Sequence, residues 1–154
     1  MTDHVAQFFE DFDVDWHPDD DWRGESTFKR LAQQENWPPW TRDQQYARLK
    51  LAQKRIVHDE LNNIKSATEF QTLCSQVGIE KRPWSETECY RLLSDVYVNV
   101  VDLIQVRRHG EGPVTDHGSL EELRTYTQDS EKFCPAPATI STILGILLRN
   151  LVSN

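Results

Sequence analysis

Four times in this chain a serine or threonine is followed three residues later by glutamate or glutamine, at the head of a run with apolar residues at helical spacing. The pairs are Thr41/Gln44, Ser66/Glu69, Ser85/Glu88 and Ser119/Glu122. Such a pair marks a helix start. The hydroxyl takes the backbone N–H of the third helical residue, and the longer side chain reaches back to the N–H of the cap. Capping and three- to four-residue periodicity together predict an all-α fold, a single-domain array of about six or seven helices.

The elements follow from that pattern. Val5, Phe8, Phe9 and Phe12 make an apolar edge on a short first helix, and DVDWHPDDDW after it reads as a turn or extended segment. Residues 1–24 are therefore expected to be an acidic aromatic N-terminal arm on a helical domain spanning 25–154. Residues 25–35 read as a helix capped by Ser26 and stopped by Trp37-Pro38-Pro39-Trp40, an aromatic plug over the end of the core. Thr41 then caps a long helix with a break near 63–66, and a second helix runs from Ser66 to about Val77, with Gly78 at its end. From Ser85 to Arg108 the spacing predicts one central helix; VYVNVVDLIQV taken alone can be read as a strand, but its helical apolar spacing, the cap at Ser85 and the basic end at Arg107 and Arg108 favour a helix. A glycine-rich loop at 109–118, a short helix after Ser119 and a terminal helix over roughly 139–152 complete the pass.

Charge restricts the partners. The net charge is -8, and residues 1–25 alone hold nine carboxylates against Arg23, while the remainder carries 16 groups of each sign. A balanced body behind an acidic leader lacks the excess positive charge that phosphate-backbone binding requires, so neither nucleic acid nor an anionic membrane is an expected partner. The start has no basic region followed by an apolar stretch, so neither a secretory signal nor a mitochondrial presequence is expected. The expected compartment is cytoplasmic or nuclear. Cys74, Cys89 and Cys134 have no metal-site spacing and read as free thiols, two of them in helix cores.

No nucleotide-binding glycine motif, GxSxG or HExxH occurs. Asp11, Asp13 and Asp15 have the spacing of a calcium loop, but Trp16 stands where that loop needs glycine and Trp22 where it needs glutamate. His58 lies on a polar helix edge without a ligand partner, and His109 and His117 flank the glycine loop. No catalytic residue, metal or cofactor is assigned. Asn99 and Asp102 stand out in the apolar central helix. Three residues apart, they face one side and need hydrogen-bond partners if buried. They are a structural polar network that fixes helix register, a solvent-facing stripe, or the anchor of a ligand.

The segments FKRLAQQENW (28–37), FQTLCSQVGI (70–79), RPWSETECYRLL (82–93), VNVVDLIQVRR (98–108), LEELRTYT (120–127) and LLRNL (147–151) together resemble a widespread group of small helical proteins of filamentous fungi. The resemblance spans about residues 8–151 and rests on scattered positions, among them Trp37, Cys74, Gly78, Cys89, Asn99, Asp102 and Arg107. It implies a helical fold and an intracellular location, and it implies no activity.

The expectation for function is a non-enzymatic protein–protein interaction module. Its partner is another protein or a second copy. Phe8, Phe9, Phe12 or Trp16 of the arm would enter a partner groove, and Trp37, Trp40 and Arg107 are further candidate binding residues. The alternative is a small-molecule or lipid binder with a cavity between helices, anchored by Asn99 and Asp102. An enzyme using Asp102, His109 or His117 and a transcriptional regulator with an acidic activation segment are lesser readings.

Overall fold

A computed structural model describes residues 2–17 and 21–148. Eight helices are present among them and no strand: α1 (His4–Glu10), α2 (Glu25–Gln34), α3 (Pro39–Leu61), α4 (Ala67–Gln76), α5 (Glu86–Leu93), α6 (Val100–His109), α7 (Leu120–Ser130) and α8 (Thr142–Leu148). The all-α expectation holds. The chain groups into two compact units, Met1–Val57 and His58–Asn154, and the division falls inside α3.

In the first unit, α1 is capped by Asp3, whose carboxylate accepts from the N–H groups of Val5 and Ala6 at 3.1 and 2.9 Å. Helix α2 starts at Gly24 and not at Ser26. The Gly24 carbonyl accepts the first helical bond from Phe28 N–H at 2.9 Å, and its φ is +72°. Glycine is required there twice over, because a Cβ on residue 24 would also lie 2.6 Å from the Phe9 ring. The other end of α2 closes with Asn36 in the left-handed region, Asn36 N–H on Gln33 and Trp37 N–H on Ala32. This paired closure satisfies two terminal carbonyls and turns Trp37 back toward the helix it follows.

Helix α3 begins two residues before the expected Thr41 cap. Arg42 N–H bonds the Pro38 carbonyl, which places Pro39 at the first helical position. Proline is well suited to that position, since its φ is already helical and its missing N–H would have had no partner.

In the second unit, α4 packs on α5 and α6, and α5 packs on α8. Ser66 and Glu69 form the full reciprocal capping box, Ser85 and Ser119 each accept from the residue three ahead, and α4 ends in paired bonds from Gly78 and Ile79. The expected central helix over 85–108 is two helices. Helix α5 stops at Leu93, residues 96–99 run without helical structure, and Asn99 opens α6. Val96, Tyr97 and Val98 are poor helix formers, and Asn99 takes the backbone of Asp102, the same serine-like capping chemistry read elsewhere in the chain. The terminal helix starts at Thr142, and its expected extension over 149–152 lies outside the described residues.

Candidate functional site

The aromatic residues of the expected N-terminal arm are packed. Phe8 and Phe9 are 5% and 0% exposed, and Trp22 is likewise buried. Phe9 stands 5.0 Å from Trp16 and 5.2 Å from Phe8, ring centre to ring centre. Phe8 continues to Phe12 at 5.3 Å and to Phe28 at 6.3 Å. Phe12 meets Trp37 edge-on at 5.4 Å. The structure therefore brings five of the expected binding residues, Phe8, Phe9, Phe12, Trp16 and Trp37, into one aromatic cluster of the first unit. It also corrects their role, since Phe8 and Phe9 face inward and cannot be inserted into a partner. Alternating carboxylates disguise a packed edge as a solvated arm: Asp11, Asp13 and Asp15 are exposed, while Phe12, Val14 and Trp16, which alternate with them, are half-buried.

Phe28 and Tyr46 complete the cluster, and in the sequence nothing beyond their helical spacing marks them. Phe28 lies 6.0 Å from Trp37 and 5.2 Å from Tyr46. These three rings line a groove of about 490 Å³ between α2 and α3, with Lys29, Arg42 and Asp43 around its rim. At its inner end the Glu25 carboxylate gathers three donors on its Oε1. It accepts from the Tyr46 hydroxyl at 3.0 Å, from Lys50 Nζ at 3.2 Å and from Gln53 Nε2 at 3.2 Å. Burial, above all, and the Glu25 charge raise Tyr46 above its ordinary value, although Lys50 opposes them. Burial pulls Lys50 down, but its bonds and charge contacts with Tyr46 and Glu25 outweigh that and hold it above its ordinary value. Tyr46 thus stays a neutral hydroxyl and Lys50 a cation. Lys50 Nζ also sits 5.1 Å from the centre of the Tyr46 ring.

Trp40 does not join the plug expected of the Trp37–Trp40 segment. It lies on α3 and is 76% exposed. Leu51, 51% exposed, is three helical turns further on. Eleven residues bring a helix back to within about 20° of the same azimuth. Ala47, also exposed, falls between them, and Lys54 and Arg55 lie beside them. Among the described residues neither Lys54 nor Arg55 is in an ion pair.

The remaining expected residues lie in the second unit. Asn99 is buried with its amide occupied on both sides: Oδ1 accepts from Asp102 N–H at 3.1 Å, and Nδ2 donates to Thr127 Oγ1 at 3.2 Å and to the Lys132 carbonyl at 3.0 Å. Asp102 is bonded by the Tyr126 hydroxyl at 2.5 Å and by Lys132 Nζ at 2.8 Å. Asp102 is thus met by a tyrosine donor and a lysine cation. Since Asn99 is a cap and Asp102 a first-turn residue, the two do not project together from mid-helix. Arg107 bonds Glu60 at 3.2 Å and Gln76 at 2.8 Å, and Arg108 bonds the second Glu60 oxygen at 3.2 Å.

His117 stacks on Tyr126 with ring centres 4.4 Å apart, which joins it to the Asp102 network. The Tyr126 hydroxyl donates to Asp102 and accepts from Lys132, so its bonding capacity is used. Burial first, and then the bond to Asp102, raise its pKa and keep it protonated. The arrangement holds α6 to α7 and presents no activated nucleophile. Cys74 and Cys89 are buried on α4 and α5. The hydrogen bond to Cys74, together with burial, raises the Cys89 thiol well above its ordinary range.

No helix among the described residues is long and apolar enough to cross a membrane. No known protein family matches the chain, and no curated protein or solved structure is significantly similar to it.

Proposed function

We propose that this is a non-enzymatic, intracellular protein–protein interaction module that docks an acidic amphipathic helix of a partner on the outer face of α3. The observation that carries the reading is the alignment of Trp40, Ala47 and Leu51 along one exposed face, about 16 Å from end to end at helical rise. Single exposed apolar residues are ordinary, but a tryptophan and a leucine in register on one helix have the spacing of anchors that a partner helix covers. Tryptophan is also among the residues that most often dominate binding energy. Lys54 and Arg55 beside the stripe set the partner's charge: carboxylates next to its apolar anchors would find cations without competing ion pairs. A second copy of this chain fits less well, because it would bring the same cations to the interface.

Photo-crosslinking tests this. With Gln44→p-benzoylphenylalanine in the full chain, expressed in its native cells, the expected product is a discrete adduct. Its partner peptide should map by mass spectrometry to an acidic amphipathic helix, and Leu51→Asp should abolish it without changing circular dichroism or melting temperature. An adduct only with a second copy, no adduct, or one that survives Leu51→Asp would overturn the reading.

A further inference from the structure

The α2–α3 groove uses other residues than the outer face of α3, and its chemistry points to a different kind of ligand. Its volume of about 490 Å³ is within the range of small-molecule sites. Three aromatic side chains, Phe28, Trp37 and Tyr46, line its apolar side. They are held from behind: Phe8 supports Phe28 at 6.3 Å and Phe12 supports Trp37 at 5.4 Å. The Trp37 backbone is fixed by the closure of α2, and the Tyr46 hydroxyl by Glu25. A planar ring entering the groove therefore meets a surface that is already ordered, so little ordering entropy opposes binding.

The charges decide what that ring carries. Glu25 is the innermost acid, but Lys50 neutralises it, and Tyr46 and Gln53 share its Oε1 with that lysine. Its charge is already met within the protein. Lys29 and Arg42 on the rim are in no ion pair among the described residues, and Asp43 is the one opposing rim charge. The available balance is positive. An aromatic wall with an acid nearby is also the chemistry of an ammonium cage. Here that reading fails on two counts: Lys50 already holds the Tyr46 ring, and a second cation would meet Lys29 and Arg42.

We propose that the α2–α3 groove is a binding site for a small planar aromatic carboxylate, its ring against Phe28, Trp37 and Tyr46 and its carboxylate at Lys29 and Arg42. Arginine supplies two parallel donors to such a group, and a charge-assisted bond of this kind typically separates matched ligands by about tenfold or more.

The test uses the full-length protein and three probes of one shape: 2-naphthoate, neutral 2-naphthalenemethanol and cationic 2-naphthylmethylamine. Titrations are followed by the Trp37 indole N–H signal in 15N-correlated NMR, assigned through Trp37→Phe. The expected result is a saturable shift with 2-naphthoate, at least about tenfold weaker binding of the other two, and about tenfold weaker 2-naphthoate binding in Arg42→Ala. Arg42 is exposed, so this variant should fold as the parent does, which its unperturbed spectrum would verify. No saturable shift at Trp37, equal affinity for all three probes, tightest binding of the amine, or an Arg42→Ala protein that binds unchanged would each overturn the assignment.

Discussion

Gly24 shows how one residue can be demanded by two separate constraints. Its φ of +72° disfavours any side chain, and the approach of Phe9 leaves no room for one. Gly24→Ala should therefore cost more than a simple left-handed substitution, about 2–3 kcal/mol, because α1 must shift as well as the backbone. Urea denaturation would measure it, and a loss below about 1 kcal/mol would mean that the Phe9 ring moves aside freely. Asn99 is the counterpart in the second unit. One amide caps α6, and its other end holds Thr127 and the Lys132 carbonyl. Asn99→Ala should cost about 2–4 kcal/mol in urea unfolding, the sum of a lost cap and buried groups left without a partner. Asn99→Asp keeps the cap but sets a carboxylate against a carbonyl, so it should recover only part of that loss.

Among the elements, α3 combines two roles in one helix. Its inner face carries Leu49, Gln53, Ile56 and Val57, all fully buried, while Trp40, Ala47 and Leu51 lie opposite. Two apolar faces cancel in any measure of amphipathicity, so a long helix with a buried side reads as only weakly one-sided. Helix α8 is tied at its start to the end of α3 by side-chain bonds. At its start, Asn62 donates to the Thr139 carbonyl at 2.6 Å and accepts from Ser141 N–H at 3.0 Å, and the Ser141 hydroxyl bonds the Leu61 carbonyl. The fall in helix propensity at Asn62-Asn63 reads in the sequence as a break. The structure adds that the first of these asparagines ties down the start of α8.

At the scale of the whole molecule, the tyrosine hydroxyl and lysine ammonium groups bound to Glu25 and Asp102 share one pH dependence. Tyr46, Lys50, Tyr126 and Lys132 all hold their protons above ordinary values of 10.0 for tyrosine and 10.5 for lysine. For Lys132 burial acts the other way, but its bonds to Asp102 and Tyr126 prevail. A raised folded pKa means that the unfolded chain releases its proton first as pH rises. The stabilisation is therefore complete below about pH 10 and is lost as pH climbs through the folded values. Melting temperature should stay level between about pH 7 and 9 and then fall, and Lys132→Met should lower the plateau but flatten the alkaline fall. An equally steep fall in that variant would remove Lys132 from the account. The net charge of -8 is less one-sided locally than in sequence, since Asp11 pairs with Arg48 and Glu25 with Lys50 within the first unit.

By itself the sequence determined the helical class and most helix starts, because capping and periodicity are local: a serine three residues before a glutamate acts through its own backbone. Ser66, Ser85 and Ser119 were legible for that reason, and Gly78 likewise. Asn99 followed the same local rule but was hidden inside an apolar run that also fits a continuous helix. Only the tertiary structure decided which aromatic residues face inward. The alternation from Phe8 to Trp16 is compatible with a solvated arm or a buried edge, and the choice depends on Phe28, Gly24 and Trp37, which are distant in sequence. It also decided that Glu25 is neutralised and that Lys29 and Arg42 are not. Charge pairing depends on distance in space, and a sequence records only distance along the chain.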